Sequence, residues 1–540
     1  MVPPAARRPP GAARCTLLRA ATRGRLALLL AGVAAAGAAL AEPPAFDATL
    51  RERIDAFVEA ERRASGIPGI ALAIVDAHGV LHQRGYGDDG RGRPIGADTP
   101  FPLGSLTKSF TALLVRQAVE AGALDADAPV QRYLRWFRVA DAAAARRITL
   151  RQLLNQTSGL PRAAGMAPLW QRADADVEAL ARRLATLELA SPPGARYEYS
   201  NLNFVLLGAV LEAVSGRSWG ELVRARVLQP LAMTHAYVAP AAAHASPRPE
   251  RTRPRAPPAR AAVGPPRGDD QPPRPMSALH RMCFGVPVVQ PLALPAGLAP
   301  AGGLVASAAD MGRYLRMLLA GGSAPGGRIV GADAVAQLLA PAAPPAQARL
   351  LSADFGFRYA EGWFAGPFGA AADARWHLGN LLSFAAWMVL LPQSRQALVL
   401  LINANTELPF GAVNAVMSRL PLGVVALLHG QPPPQGPSLR AAYARFDAAA
   451  AALVTGTAIA AWLALRARRV LGASLLAAAG LALPLGLHAL GLGPRLLAAF
   501  APDLALTVAA LLLLALLPLP LRGVARLRAA RPRRARCGCG

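Results

Sequence analysis

A serine and a lysine stand three positions apart in the segment Gly104-Ser105-Leu106-Thr107-Lys108. Lys108 is the only lysine in the sequence, although 58 residues are Lys or Arg. Because Arg stays protonated whereas a partly buried Lys can lose its proton, this position favours a chemical role over an electrostatic one. The i, i+3 spacing places both groups on one face of a helix, where the lysine can activate the serine as a nucleophile.

Two further segments carry groups suited to the same chemistry. Tyr197-Glu198-Tyr199-Ser200-Asn201 follows a Pro-Pro-Gly turn; a Tyr near a Lys can relay protons, and an Asn amide can hold a substrate carbonyl. His377-Leu378-Gly379-Asn380 forms a loop before an apolar strand pair, where a glycine lets the backbone approach a ligand and the next N–H can donate to an oxyanion. Either segment alone would be an ordinary turn or a solvated histidine, but the three together indicate an active site.

The three segments, in this order, resemble the motifs of the serine penicillin-recognising enzymes. This family includes class C β-lactamases, D-alanyl-D-alanine carboxypeptidases, and related esterases and D-aminopeptidases. The segment from Ser105 to Lys108 is similar to its Ser-x-x-Lys motif, Tyr199 to Asn201 to its Tyr-x-Asn motif, and His377 to Gly379 to its third motif. The resemblance covers about residues 46–405 and implies a class C β-lactamase-like α/β fold with the site between two subdomains.

The resemblance also implies the role of each site residue in an acyl-enzyme mechanism. The catalytic groups would be Ser105, Lys108 and Tyr199, and the substrate-binding groups Asn201, His377, Gly379 and Asn380. Many members have Lys-Thr-Gly at the third motif, where the Lys and Thr help to hold a substrate carboxylate. Here His377 and Leu378 occupy those places, which makes β-lactam hydrolysis less favoured than ester or peptide hydrolysis.

Strand patterns near both ends of residues 42–430 predict how these segments are positioned. Residues 70–75 and 80–86 are predicted to form two strands around the hairpin signal Asp76-Ala77-His78-Gly79, and residues 384–391 and 396–403 form a second apolar pair. Helical patterns lie between them. We therefore predict an antiparallel sheet built from both termini and flanked by helices, with an inserted all-α domain. Residues 241–275 contain ten Pro and seven Arg and are predicted to be a disordered loop.

The ends of the chain predict export and membrane attachment. Residues 1–41 carry six Arg before an apolar run that closes on Ala39-Leu40-Ala41, which is typical of a cleaved signal peptide; the alternative is an uncleaved anchor. Residues 431–447 are predicted to be a linker, and residues 522–540 a basic cytoplasmic tail. Between these segments, residues 448–521 are predicted to form three transmembrane helices, at 448–465, 470–492 and 496–521.

The formal net charge of +26 is concentrated at the two ends, where it indicates membrane topology and argues against nucleic-acid binding. Of the four cysteines, only Cys283 lies in the main body of the chain, so neither an internal disulfide nor a zinc site built on cysteines is predicted there.

The sequence thus predicts a multi-pass protein of a bacterial cell membrane, with an extracytoplasmic serine hydrolase domain that needs no cofactor and no metal. Its substrate would be an ester or amide, either a small molecule or a peptide, including fragments derived from peptidoglycan. One alternative is a sensor of β-lactams or cell-wall fragments that is acylated without turnover and signals through the membrane helices. Another is a transporter-like membrane module with a degenerate domain. The oligomeric state stays open.

Overall fold

A central antiparallel sheet joins the first and last parts of residues 46–405. The computed structural model describes residues 45–168, 176–239, 275–292, 294–342, 357–381, 383–406, 412–466, 470–489, 502–518 and 520–521. The predicted signal peptide, nearly all of the Pro- and Arg-rich loop and the basic tail lie outside these residues.

The strands are numbered in chain order, most of the two-residue strands being short bridges between loops. They are β1 Gly69–Asp76, β2 Val80–Gly87, β3 Phe101–Pro102, β4 Tyr237–Val238, β5 Leu279–Cys283, β6 Val286–Gln290, β7 Leu304–Ala306, β8 Ser323–Ala324, β9 Gly327–Arg328, β10 Arg358–Tyr359, β11 Phe364–Phe368, β12 Ala371–Leu381, β13 Phe384–Leu391, β14 Gln396–Ile402 and β15 Ala404–Asn405. Within the described residues the central sheet has the order β10-β11-β12-β13-β14-β1-β2.

The helices are numbered in the same way. They are α1 Ala48–Ser65, α2 Thr107–Glu120, α3 Ala142–Ala145, α4 Leu150–Leu154, α5 Arg162–Met166, α6 Val177–Arg182, α7 Asn201–Ser215, α8 Trp219–Val223, α9 Ala299–Gly302, α10 Ala308–Leu319, α11 Ala332–Leu339, α12 Ala412–Leu428, α13 Leu439–Arg466, α14 Val470–Ala489 and α15 Pro502–Leu516.

Pairing of β1 with β14 closes the sheet between the two ends of the domain. Ile70 pairs with Ile402 and Asp76 with Gln396, all in antiparallel register. Since both faces of these strands are buried, they consist almost wholly of apolar residues rather than alternating ones. The predicted α/β fold, with an antiparallel sheet made from both ends and a helical insertion, is confirmed.

Two hydrophobic cores lie on opposite faces of the sheet, because successive strand side chains point to opposite sides. Ala71 and Ala73 of β1 face the core shared with α2, α7 and α10. Ile70 and Leu72 face the core shared with α1, α12 and the start of α13. The central helix α2 is buried over most of its length, which holds the serine and lysine segment rigidly between the sheet and the helical insertion.

The structure corrects two local predictions. Residues 377–380 belong to the long strand β12, whereas the sequence analysis placed them in a loop. Residues 439–447, assigned to the linker, already form the first turns of α13, and Leu439 and Tyr443 there are fully buried against the domain. A 28-residue helix whose first turns have an apolar docking site cannot act as a flexible spacer.

Residues 448–521 contain parts of α13, α14 and α15, in agreement with three helical segments. Of the described helices, α13 is long and apolar enough to cross a membrane. The three transmembrane helices therefore stay a prediction.

Candidate active site

Ser105 lies in a 3₁₀ turn, Gly104–Leu106, that leads directly into α2. Gly104 takes a positive φ of 52°, a conformation that favours glycine. The turn leaves Ser105 partly exposed while Leu106 and Thr107 are buried. A hydroxyl is thereby presented at the start of a helix, where the helix dipole favours developing negative charge.

Lys108 is buried beneath this turn and is held by three oxygens. Its Nζ lies 2.9 Å from Ser105 Oγ, 2.8 Å from Asn201 Oδ1 and 2.8 Å from the carbonyl oxygen of Ala301. Burial lowers the pKa of Lys108 well below its usual value, and the positive charge of Arg162 lowers it further. A neutral amine that touches the serine hydroxyl can accept its proton.

Tyr199 reaches the same hydroxyl from the helical insertion. Its OH donates to Ser105 Oγ over 2.9 Å. Burial raises the pKa of Tyr199 to about 12, although the hydrogen bond to Ser105 and the charge of Arg162 act in the opposite direction. The phenol therefore stays protonated near neutral pH, which makes Lys108 the better base and Tyr199 a proton donor.

Asn201 is the first residue of α7, and its amide bridges two elements. Its Oδ1 accepts from Lys108, while its Nδ2 donates to the carbonyl oxygen of Gly165 over 3.0 Å. Gln156, fully buried with a positive φ of 60°, holds the preceding segment: its Oε1 accepts from the backbone N–H of Ser200, and its carbonyl oxygen accepts from the N–H of Glu198. The loop before α5 thus sets the position of the tyrosine segment.

His377 is buried in β12 and bonded through both ring nitrogens. Nδ1 lies 2.7 Å from the carbonyl oxygen of Leu378, and Nε2 lies 3.2 Å from the OH of Tyr359. Burial is the main cause that lowers the pKa of His377 to about 3. A neutral ring with these partners carries its proton on Nδ1, so Nε2 accepts from the Tyr359 hydroxyl.

Gly379 and Asn380 bring β12 against the serine turn. A Cβ on Gly379 would lie 2.0 Å from the carbonyl oxygen of Leu103, so glycine alone permits this approach of strand and turn. Asn380 lines the cavity in front of Ser105. Its Oδ1 is buried without a hydrogen-bond partner among the described residues.

The cavity in front of Ser105 has a volume of about 610 Å³. Its walls include Arg162, Tyr197 and Glu198 on one side and largely apolar side chains elsewhere, namely Met166, Leu294, Leu298, Phe357, Phe364, Leu378 and Leu381. The guanidinium of Arg162 lies over the Tyr199 ring, 5.7 Å from its centroid. Such walls suit a substrate with an apolar group beside a polar carbonyl.

The structure brings all seven predicted site residues together. Ser105, Tyr199, Asn201, His377 and Asn380 line the cavity, Lys108 lies beneath it, and Gly379 packs behind the serine turn. Sequence reasoning missed Tyr359, whose ring also contacts Tyr197 and Phe364. No local pattern marks Tyr359, because its two-residue strand β10 is too short for a periodic signal.

A buried ion pair, also missed, fixes the far side of α2. Arg116 of α2 donates to Glu361 in the turn between β10 and β11, and it also bonds Gln337. Next to this pair, a Cβ on Gly362 would lie 2.9 Å from the backbone of Lys108 and Ser109. The turn between β10 and β11 therefore braces the helix that carries the lysine.

Comparison with known families assigns the chain to one of them. The sequence matches the profile of the beta-lactamase family over residues 50–450. The chain belongs to the beta-lactamase family. The matched region includes the first turns of α13, in agreement with their burial against the domain.

Within the beta-lactamase family, two curated relatives illustrate the range of functions. Penicillin-binding protein 4 of Amycolatopsis lactamdurans is 35% identical over 201 residues, which cover 36% of this chain and 49% of that protein. Esterase EstB of Burkholderia gladioli is 38% identical over 215 residues, which cover 36% of this chain and 54% of the esterase. The chain thus spans about half the length of the curated relatives it matches.

Solved structures of the beta-lactamase fold cover more of the chain. The octameric penicillin-binding protein homologue from Pyrococcus abyssi matches with a TM-score of 0.53 and 21% identity, over 71% of this chain and 78% of that one. EstCE1, a hydrolase with promiscuous acyltransferase activity, matches with a TM-score of 0.53 and 20% identity, over 71% of this chain and 98% of that one. At these identities the likeness shows the fold alone.

Proposed function

We propose that this protein is a membrane-anchored serine hydrolase that acts outside the cytoplasm through an acyl-enzyme. The observation that carries the proposal is the contact of one serine oxygen with two proton-transfer groups: Ser105 Oγ lies 2.9 Å from both Lys108 Nζ and the OH of Tyr199. Membership of a family with esterase and penicillin-binding relatives supports the same reaction class.

In the acylation step, Ser105 Oγ attacks the carbonyl carbon of the substrate while neutral Lys108 accepts the hydroxyl proton. The N–H groups of Ser105 and Asn380 would hold the resulting oxyanion. When the intermediate collapses, the bond to the leaving group breaks, and Tyr199 donates a proton to that group and is reprotonated from Lys108. Water then attacks the ester on Ser105 by the reverse proton transfers and releases the acid.

The preferred substrate is an ester or an amide of the D-amino-acid type rather than a β-lactam. His377 is neutral near pH 7, so it offers no fixed cation to a substrate carboxylate. Leu378 lines the cavity, is only partly buried against the core on the other face of the sheet, and carries no hydroxyl. A carboxylate held there would lose a hydrogen bond, at a cost of about 1 to 3 kcal/mol.

The length of α13 supports the proposed membrane attachment. Its 28 residues extend over about 42 Å at the usual rise of an α-helix, whereas a bilayer core needs about 20 residues. The residues of α13 beyond those that a bilayer core needs correspond to the two turns that pack on the domain. α14 and α15 are apolar neighbours of α13, and the Arg residues 466, 468 and 469 favour a cytoplasmic position for its end.

Replacement of Lys108 by Arg tests the assignment of the base. Lys108→Arg keeps a cation but cannot deprotonate, so we expect kcat/KM for 4-nitrophenyl butyrate to fall by about 100-fold or more, and Ser105→Ala to abolish turnover. Ser109→Ala, in the same helix, and Tyr197→Phe, beside Tyr199, are matched controls that should stay within about tenfold. Activity of Lys108→Arg close to that of the unmodified protein would contradict the mechanism, and a burst without turnover would favour the sensor.

A further inference from the structure

The hairpin of β5 and β6 carries an unusual concentration of exposed apolar side chains. Between Phe46 and Asp447, in the parts that the structure describes, four of the six exposed large apolar residues lie in this hairpin. They are Phe284, Val286, Val288 and Val289, with Val286 58% and Val288 43% exposed. Scattered exposed apolar residues are normal, but a contiguous set on one hairpin marks an interaction surface.

The turn of this hairpin holds a bulky residue in a conformation that disfavours it. Cys283 pairs with Val286, which leaves a two-residue turn in which Phe284 and Gly285 both have positive φ, 48° and 71°. Such a turn prefers Asn, Asp or Gly at its first position. A phenylalanine there is strained, so it is better explained by what its ring contacts outside the domain than by the stability of the turn.

The position of the hairpin along α13 indicates its level relative to a lipid bilayer. A Cβ on Gly285 would lie 3.2 Å from Cβ of Tyr443, and the Tyr443 OH lies 3.4 Å from the carbonyl oxygen of Met282. Counting about 20 residues back from Arg466 puts the outer edge of the hydrocarbon core near residue 447. Tyr443 is then about 6 Å above that edge, at the level of the lipid headgroups.

Neighbouring residues agree with a lipid surface. Arg440 and Arg445 are exposed on the same two turns of α13, where they can meet anionic headgroups. Leu504 near the start of α15 packs against the core that contains Tyr443 and Met282. The hairpin therefore lies beside the first turns of α13 and the start of α15, the ends that the proposed topology puts outside.

We propose that the hairpin of β5 and β6 inserts its apolar tip into the outer leaflet of the lipid bilayer, and that the site takes acyl-chain substrates from that membrane. The chain leads from β6 to Leu294, four residues after Gln290, and Leu294 and Leu298 line the catalytic cavity. The proposal rests on the membrane anchoring and hydrolase activity proposed above. It adds a lipid contact and a substrate class, an ester or amide with a long acyl chain.

Depth-dependent quenching tests the contact without relying on catalysis. The full chain, placed in vesicles of phosphatidylcholine and phosphatidylglycerol and shown to resist carbonate extraction, would carry either Val288→Trp or Val80→Trp. Val80 is similarly exposed, at 47%, but lies at the opposite end of β1 and β2 from the hairpin. After subtraction of the native tryptophan signal, brominated lipid should quench the added fluorescence of Val288→Trp about twofold or more and that of Val80→Trp little.

Equal quenching of the two variants would overturn the proposal. A blue-shifted Val288→Trp spectrum that brominated lipid does not quench would place the face against protein, including a second copy of this chain, and would also overturn it. Extraction of the unmodified chain by carbonate would instead contradict the anchoring itself.

Phe284→Asn separates the membrane role from a structural one. Asn-Gly is the preferred sequence for this turn, so the melting temperature should stay equal or rise. Hydrolysis of 4-nitrophenyl palmitate in the vesicles should fall about tenfold, because an apolar anchor is lost, while hydrolysis of soluble 4-nitrophenyl butyrate stays within about twofold. Val80→Ser should leave both rates unchanged.

An unchanged palmitate rate in Phe284→Asn would contradict the role of the hairpin in supplying the site from the membrane, and failure of the unmodified protein to hydrolyse the palmitate ester while it hydrolyses the butyrate ester would contradict the substrate class. Failure of the unmodified protein to hydrolyse either ester would contradict the proposed function, and the quenching experiment would still decide the lipid contact.

Discussion

Burial acts in opposite directions on the two groups that contact the nucleophile. It lowers the pKa of Lys108 and raises that of Tyr199, because in each case the charged form is the one that loses hydration. Burial thus favours the neutral amine and the neutral phenol on one hydroxyl. The pair can therefore act as base and acid, and within the part of the chain that the structure describes neither a histidine nor a carboxylate bonds Ser105 Oγ.

The charge of Arg162 should be visible in the pH dependence of the reaction. A nearby cation disfavours protonated Lys108, so removing it in Arg162→Gln should raise the pKa of Lys108 and move the acid limb of kcat/KM to higher pH. The activity of Arg162→Gln should fall at pH values on the acid limb, and its activity on the alkaline side should change little. Since Arg162 is exposed, added salt should reduce the difference between the variant and the unmodified protein.

Arg162→Lys, which keeps the charge, and Arg182→Gln, a change in another exposed arginine, are the controls. If the acid limb of kcat/KM has the same midpoint pH in Arg162→Gln as in the unmodified protein, the charge of Arg162 does not act on Lys108.

At the scale of elements, the site depends on the contact between β12 and the serine turn. β12 is paired with β13 from Arg375 to Leu381, with His377 opposite Met388 and Asn380 opposite Ala385, so this part of the strand cannot easily move away. The turn is held equally firmly, since Thr107 Oγ1 accepts from the backbone N–H of Leu304 over 3.2 Å. Two rigid elements in close contact leave no room for a side chain between them.

Gly379→Ala should therefore disable the site while leaving most of the fold. The new methyl would meet the Leu103 carbonyl oxygen and displace Ser105, and a shift of about 1 Å can lower kcat/KM by about 100-fold. Gly79→Ala in the turn between β1 and β2 meets nothing within 4 Å and is the matched control. Steady-state kinetics and circular dichroism check both variants, and a fully active Gly379→Ala would show that the contact is dispensable.

At the scale of the whole molecule, the domain and the apolar helices share a core. Tyr443 is 1% exposed, and its OH bonds Thr406, the residue after β15. Leu439 N–H donates to Ser65 Oγ at the end of α1 over 3.2 Å. The segment between the domain and the apolar helices is thus a rigid joint, as the proposed insertion of the hairpin tip into a bilayer requires.

Loss of the Tyr443 side chain should loosen this joint. Tyr443→Ala removes a large buried ring and should lower the free energy of unfolding by about 3 kcal/mol or more. The exposed neighbour Arg445→Ala should change it by about 0.5 kcal/mol or less. Thermal melting in detergent, followed by limited proteolysis after residue 430, measures the effect, and equal stability of the two variants would contradict a shared core.

Much of this architecture could be predicted from local patterns. The i, i+3 pair of Ser105 and Lys108, the turn signal at 76–79 and the apolar pair at 384–391 and 396–403 each depend on residues close in sequence, so short-range geometry was enough to interpret them. The misplacement of His377 in a loop had a local cause as well: β12 is only partly buried and does not alternate cleanly.

Tertiary structure decided what the chemistry depends on. Lys108 meets Asn201 and Ala301, which are 93 and 193 positions away, and His377 meets Tyr359 across the sheet edge. The sequence alone indicated that Lys108 could act as a base. Its pKa is lowered, however, only because packing removes water from its ammonium group. The same holds for the first turns of α13, whose burial depends on a docking surface formed by α1, β5 and β15, and no local pattern contains that surface.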